Sequence, residues 1–519
     1  MSDREFIEVR GARENNLKDV SLDIPKRRVT VFTGVSGSGK SSLVFDTIAA
    51  EAQRQLNETF TFFVQGFLPH YSQPDVDRIE HLNAPVIIDQ KRVGGGSRST
   101  AGTYTDISVL LRLLFSRVGK PSAGPAYAFS FNTPQGMCPE CEGIGRTVQL
   151  DLDKLLDRSK SLNEGAILHP EFKVGKWMWK MYPLSGLFDP DKPIKNYTKV
   201  ELDKFLNGAD IKVSWGEFES KYEGLVERFN RTFIKKDASA MSERNRAVFE
   251  RFITAQTCPL CKGARLNQAA LACRINKRNI AELSDMEAKE LVTFLSGFKD
   301  PVASKVAARL VERLQHLVDI GLGYLSLNRE TSTLSGGESQ RVKMIRHLGN
   351  SLTEMLYILD EPTVGLHARD VARLNGLLKK LRDKGNTVLI VEHDPDVMAI
   401  ADHIVDIGPK AGIHGGEVVF EGSYAALKKA STVTARALKQ HLPVKEKVRT
   451  PTGKLTIAKA SLHNLKNITV NIPTGVLTVV AGVAGSGKST LINAVFLMQH
   501  PDAIVIDQSR VTAYSRSAT

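Results

Sequence analysis

The sequence predicts an α/β protein of two tandem phosphate-binding modules, the second cut short, with a cysteine-clamped α+β insertion in the first. Three observations predict it. Asn16–Leu43 returns as Asn464–Leu491 with 15 of 28 positions identical, and repeats of this kind mark repeated structural units. In each copy a glycine loop joins an apolar strand pattern (Arg28 to Thr33, Val476 to Ala481) to a helical one. Two Cys-Pro-x-Cys-x-Gly knuckles, Cys138/Cys141 and Cys258/Cys261, enclose 116 residues of different texture.

At 519 residues the chain exceeds what one hydrophobic core supports. With 42% hydrophobic and 24% charged residues, disorder as the main state is excluded. No apolar run approaches the roughly 18 residues of a membrane-spanning helix, and Met1–Glu5 has no secretory pattern. Five cysteines make no disulfide framework. These features predict a reduced, cytoplasmic protein. The net charge is +13, and residues 409–519 hold most of the surplus with 14 basic and 5 acidic groups, which leaves nucleic-acid binding open.

The glycine loops come first. Gly34-Val35-Ser36-Gly37-Ser38-Gly39-Lys40-Ser41 and Gly482-Val483-Ala484-Gly485-Ser486-Gly487-Lys488-Ser489 both fit GxxxxGK[ST]. Glycines let backbone N–H groups curl around phosphate oxygens, and the helix that follows adds its positive end. Lys40 and Lys488 then reach β- and γ-phosphates, and Ser41 and Ser489 suit Mg²⁺. Ser42 and Thr490 continue each loop. The alternative, a plain glycine-rich turn, does not explain two matches inside a repeat.

Met355–Glu361 is an apolar strand pattern ending in two carboxylates. Asp360 suits the Mg²⁺ shell, and Glu361 suits the base that polarises attacking water. Leu389–His393 is a second apolar run, ending in a histidine that is either structural or a γ-phosphate contact. Leu334-Ser335-Gly336-Gly337-Glu338 precedes a helical pattern from Gln340 to Leu348, and Ser-Gly-Gly at a helix start presents N–H groups to an anion. Val86–Gln90 is echoed by Ile504–Gln508.

Four thiolates at Cys138, Cys141, Cys258 and Cys261 satisfy tetrahedral Zn²⁺, and each CxxC turns both sulfurs toward one ion. Two redox pairs or buried thiols are the alternatives; the matching form of the knuckles favours one shared ion. Cys273 reads as core.

LSGGE resembles the signature of ABC-type ATPases. Walker A, Gln90, signature, Asp360-Glu361 and His393 follow in that family's order. The resemblance implies cassettes that pack head to tail, so that Ser335, Gly336 and Gly337 close the Walker A site of another cassette. Ser41 and Ser335 stand 294 positions apart, with the cysteine-clamped insertion between them. That architecture is similar to the UvrA family, the damage-sensing ATPases of excinuclease ABC. Asn15–Lys18, Phe32–Ser42, Phe129–Asn132, Gly365–His367 and Val391–His393 resemble that family as well.

The resemblance divides the chain as follows. Residues 1–120 carry Walker A and the Gln90 loop of the first cassette. Residues 121–151 and 255–330 form the zinc region, and 152–254 the inserted domain, which ends in a charged helical pattern from Ser242 to Thr254. Residues 331–442 run from signature to His393, 443–452 are a linker, and 453–519 begin a second cassette in which Gln508 echoes Gln90. The implied cofactors are ATP, Mg²⁺ and Zn²⁺. The implied partners are a second copy of the chain and double-stranded DNA, read through its deformed shape. Trp177, Trp179, Lys173, Lys176 and Lys180 in the insertion are DNA contacts or a solvated basic face.

Two departures from the family pattern stand out. Gly119 leads to Cys138 within 20 residues, leaving no room for the family's UvrB-docking domain and resembling short paralogues tied to tolerance of DNA-binding drugs. The second cassette has no signature or acidic strand before Thr519, which reads as a fragment of a longer protein. The competing functions are a fragment that binds ATP and DNA with little hydrolysis, and a ribosome-associated ABC ATPase, against which the cysteines argue.

Overall fold

The computed structural model describes residues 5–506 except 92, 95, 97, 216–217, 235–247, 249, 299, 349–351, 441–442, 444 and 484. Its centre is a six-stranded sheet. In spatial order the strands are Glu417–Gly422, His403–Gly408, Val29–Gly34, Thr387–Val391, Leu356–Asp360 and Pro85–Ile88. All neighbours pair in parallel except the edge strand Glu417–Gly422. Parallel strands covered on both faces favour apolar residues at successive positions, which is why Leu356–Leu359 and Val388–Val391 read as unbroken apolar runs, while Val29–Phe32 is broken only by the buried Thr30.

The two faces follow the strand period of two. Leu356, Ile358, Leu389 and Val391 pack with Phe32, Leu43, Val44 and Ile48. The same face meets a three-stranded antiparallel sheet of Val20–Pro25, Phe6–Ala12 and Arg78–Glu80. Tyr357, Leu359, Val388 and Ile390 face the other way, onto helices Gly336–Leu348, Ala368–Asp383 and Ser304–Asp319. Cys273 is buried in that second core. Among the described residues no helix is long and apolar enough to cross a membrane.

The insertion leaves the cassette through two antiparallel strands, Arg146–Leu150 and Ile253–Thr257, paired from Arg146↔Thr257 to Leu150↔Ile253. Beyond them Leu155, Phe172, Tyr182, Phe205, Tyr222 and Phe229 build a separate core. Of the helical pattern expected over 242–254, Val248 and the turn Glu250–Phe252 are helical, and the pattern stops two residues early, at the strand Ile253–Thr257. Residues 242–247 and 249 lie outside the described residues, and Thr254 sits in a strand. Pairing with Arg146–Leu150 overrides the local helical preference there.

Another expectation fails. The second copy opens with the hairpin Gly453–Ala460 and Ile468–Thr474, but Val476–Ala481 forms no strand. Leu477 is 93% and Val479 77% exposed, whereas their first-copy counterparts Val29 and Val31 are fully buried. Sequence alone supplied the apolar run; the flanking strands that would turn it into a buried one are not among the described residues.

Candidate nucleotide and metal sites

The first glycine loop sits where ligands bind in open parallel sheets, at the carboxyl ends of the strands. Val29–Gly34 delivers it between Thr387–Val391 and His403–Gly408. The loop is close-packed from beneath. Gly34 has φ 133°, and a Cβ there would fall 2.0 Å from the Ile407 carbonyl oxygen. Gly37 and Gly39 also adopt positive φ. The Asn16 amide donates to the carbonyls of Gly37 (3.2 Å) and Gly412 (3.1 Å), tying the loop to two neighbours.

Lys40 is buried, and its Nζ donates to the carbonyls of Gly34 (3.1 Å) and Val35 (2.9 Å). Burial lowers its pKa, while Glu361, Asp406 and Asp360 oppose that shift. The buried Ser38 hydroxyl has no hydrogen-bond partner among the described residues. A buried ammonium held by carbonyls, beside an unpartnered hydroxyl, suits an anion. Ser41 precedes a π-helical segment, Ser42–Ala49, and that winding recurs after the second loop at Thr490–Phe496.

The structure brings the acidic groups to the same place. Asp360 ends its strand, and Glu361 follows with φ 40°. Burial, then Glu361, push the Asp360 carboxyl up to about 6. Such a group gains from a nearby cation. His393 Nε2 lies 3.7 Å from Glu361 Oε1. Burial, then Lys40, lower the His393 pKa, which favours the neutral imidazole.

Several organising residues escaped the sequence reading. The buried Glu392 carboxylate accepts from the backbone N–H groups of Thr363 (3.0 Å), His393 (2.5 Å) and Asp394 (3.1 Å). It thereby locks the turn after Glu361 to the end of the histidine strand. Asp406 is buried and accepts from Thr434 Oγ1 at 2.8 Å. The identity of Asn16 and Asn464 in the repeat was the one signal that could have found the loop anchors.

The signature begins a helix, Gly336–Leu348. Ser335 N–H donates to Glu338 (2.8 Å) and Glu338 N–H to Ser335 Oγ (3.3 Å), a reciprocal cap. The Tyr324 hydroxyl also donates to Glu338. Tyr324 in turn lies against the second glycine loop: a Cβ on Gly485 would meet its ring carbons at 3.0 Å. The first signature and the second Walker A loop are thus neighbours within one chain. Lys488 Nζ repeats the grip of Lys40, donating to the carbonyls of Gly482 (2.6 Å) and Val483 (2.8 Å). Ser486, Gly487 and Ser489 complete that loop. Gln508 lies outside the described residues.

The four knuckle cysteines meet. All are buried, and their Sγ atoms lie within 4.8 Å of one another. Cys138 and Cys258 are 3.9 Å apart and Cys141 and Cys261 3.6 Å, with no disulfide between them. Tetrahedral Zn–S bonds of about 2.3 Å put sulfurs about 3.8 Å apart, so the quartet fits Zn²⁺. Backbone bonds fix it: Cys138 N–H donates to Arg265 O (2.9 Å) and Cys258 N–H to Gly145 O (3.1 Å). Gly145 N–H also donates to Cys141 Sγ at 3.2 Å, the kind of outer contact that orients a thiolate.

No protein-family model matches the chain. Curated proteins do. The chain is 33% identical over 657 residues to UvrABC system protein A of Malacoplasma penetrans, covering 94% of this chain and 68% of that one. To the protein of the same name from Aquifex aeolicus it is 32% identical over 642 residues, with the same coverages. The chain therefore spans about two thirds of these relatives' length. Each aligned span exceeds the 519 residues of this chain, so the relatives hold segments inside the alignment that this chain lacks. Among solved structures, UvrA2 from Deinococcus radiodurans matches with TM-score 0.81 and 34% identity, over 97% of this chain and 67% of that one.

Proposed function

The chain belongs to the UvrA family of ABC-type ATPases, and from that premise we propose that it couples ATP at the Lys40 site to its grip on deformed duplex DNA in nucleotide excision repair. In this reading Gly34, Ser36, Gly37, Ser38, Gly39 and Lys40 cradle the phosphates. Ser41 and Asp360 hold Mg²⁺, which supplies charge neutralisation when bound. Glu361 orients the attacking water, Gln90 and His393 report the γ-phosphate, and the neutral His393 imidazole hydrogen-bonds it. Ser335, Gly336 and Gly337 close the Lys488 loop from across the chain. Zn²⁺ on the four cysteines holds the base of the insertion shut, so that its arm stands at a fixed angle to the cassette.

The observation that carries the nucleotide reading is the convergence of Lys40, Asp360, Glu361 and His393 at the carboxyl ends of adjacent central strands. DNA is supported by the family and by the basic surplus of residues 409–519. Contacts to backbone and shape suit a protein that reads deformation rather than sequence. The short path from the helix Ile107–Val118 to Cys138 supports tolerance of DNA-binding drugs without a UvrB-docking domain at that point. A second copy of the chain is the proposed partner.

Binding of damaged and undamaged duplex, titrated at one stated salt concentration with ATP or ADP, tests the proposal. Tighter binding of the damaged duplex, altered by the nucleotide, is expected. Equal binding whatever the duplex and nucleotide would reject it. Glu361→Gln should retain ATP while any turnover falls about 10²- to 10⁴-fold.

A further inference from the structure

The signature helix Gly336–Leu348 lies between the two nucleotide sites, and Gln340 and Lys343 tie it to the first. Gln340 is buried, and its amide donates to the Ile88 carbonyl (3.2 Å) and to the Asp360 carbonyl (2.6 Å). Ile88 ends the strand that leads into Gln90. One turn on, Lys343 Nζ donates to the Asp89 carboxylate (2.6 Å), the Asp89 carbonyl (3.1 Å) and the Lys91 carbonyl (2.6 Å). Gln340 and Lys343 are three positions apart and so share a helix face. Together they grip the strand end that carries Asp360 and the loop that carries Gln90.

The opposite end of the same helix meets the second site. Its cap, Ser335 with Glu338, is held by Tyr324, whose ring lies on Gly485 of the second glycine loop. A rigid helix therefore spans from one Walker A loop to the acidic strand of the other site. Packed elements of this kind carry coupling when both ends bias the same movement.

We propose that Gln340 is a positioning residue for Asp360 and Gln90, so that closure of the Lys488 loop onto the signature is read at the acidic end of the Lys40 site. Asp360 is the group most sensitive to such placement. It is a half-buried carboxylate proposed to meet the cation, and its main-chain carbonyl is what Gln340 holds. The inference rests on the proposed nucleotide sites and adds the residue that joins them. Gln340 itself touches no reacting atom; it acts through the strand end.

The test is an Mg²⁺ titration of ATP binding on the full chain, counting only binding that Lys40→Ala abolishes. Gln340→Leu keeps the volume and removes both donors. It should raise the Mg²⁺ concentration at half-saturation by about tenfold, within the range for outer-contact losses at metal sites, and leave ATP affinity without Mg²⁺ unchanged. Lys343→Met, at a less buried position, should shift it the same way by less and covers the case in which Gln340→Leu does not fold. Lys488→Ala should shift the parent's midpoint but add little in the Gln340→Leu background. An unchanged midpoint in both variants, an equal loss of ATP binding without Mg²⁺, or additive shifts each overturns the proposal. If Lys40→Ala itself retains full ATP binding, the nucleotide assignment falls and this inference with it; a normal Lys40→Ala result with an unmoved midpoint sinks the positioning role alone.

Discussion

The two glycine loops share most of their text and differ in almost everything around it. Lys40 and Lys488 make the same pair of bonds to their own loop carbonyls. Yet Lys40 is buried beside three carboxylates, whereas Lys488 bonds its carbonyls in an exposed loop. The contrast shows what the loop sequence can do unaided. It encodes its own curl, because glycines at Gly34, Gly37 and Gly39, and at Gly482, Gly485 and Gly487, take positive φ in both copies. It does not encode the environment that surrounds its lysine with carboxylates. That comes from Leu356–Asp360 and Thr387–Val391, more than 300 residues later in the chain.

The largest expected difference between the copies is the metal. Only the first module carries the knuckles among the described residues. Cys258→Ser should lose the one bound Zn²⁺, measured by metal analysis of the purified protein. Structural Zn²⁺ sites contribute on the order of 10 kcal/mol in small domains, so the strands Arg146–Leu150 and Ile253–Thr257 should become protease-sensitive. A variant that kept full zinc would show that the quartet is not the site.

Nucleotide binding comes next. Lys40→Ala should remove tight ATP binding at the first site, since a cation hydrogen-bonding phosphate is worth more than a neutral donor. Lys488→Ala should weaken total binding less, because a less buried cation, nearer to water's high dielectric, attracts phosphate more weakly. Equal losses, measured by nucleotide titration, would mean that burial and the nearby carboxylates do not distinguish the two sites.

The core should separate the copies by a smaller margin. Ile390 is fully buried in the six-stranded sheet, and Ile390→Ala should cost about 2–5 kcal/mol in urea unfolding. Leu477→Ala, at a residue 93% exposed, should stay within about 0.5 kcal/mol. A large loss at Leu477 would show that the second copy is packed in solution by something other than the described residues.

Much of this was legible in the sequence, and the limits were physical. The order of the motifs gave the fold class, because the first glycine loop and the acidic and histidine runs each sit at the end of a strand. The cysteine quartet was readable because Cys-Pro-x-Cys-x-Gly sets both the bend and the donor type. The expected strand at Val476–Ala481 failed, and the expected helix stopped at Phe252 rather than Thr254, for one reason: where a strand forms is settled by neighbours distant in sequence. Gln340, Lys343 and Glu392 were invisible for the same reason. A buried polar side chain is recognised by the carbonyls or N–H groups it meets, and those belong to segments up to about 250 positions away.

Asn16 and Asn464 give the finest comparison. Each packs beneath the third glycine of its loop, where a Cβ would meet the amide oxygen at 3.1 Å (Gly39) and 3.0 Å (Gly487). Asn16 bonds both its own loop and Gly412, a turn that follows the strand His403–Gly408. Among the described residues the Asn464 amide donates only to Gly485, at 2.7 Å. Asn16→Ala therefore breaks two bonds and frees the loop from the Gly412 turn, at about 1–2 kcal/mol. Asn464→Ala breaks one exposed bond, at about 0.5 kcal/mol. Urea unfolding read beside ATP affinity separates two meanings. If Asn16→Ala lowers stability and affinity together, the tie to Gly412 pre-shapes the cradle; if affinity holds while stability drops, the asparagine only braces the fold, and the two loops differ solely in what surrounds them.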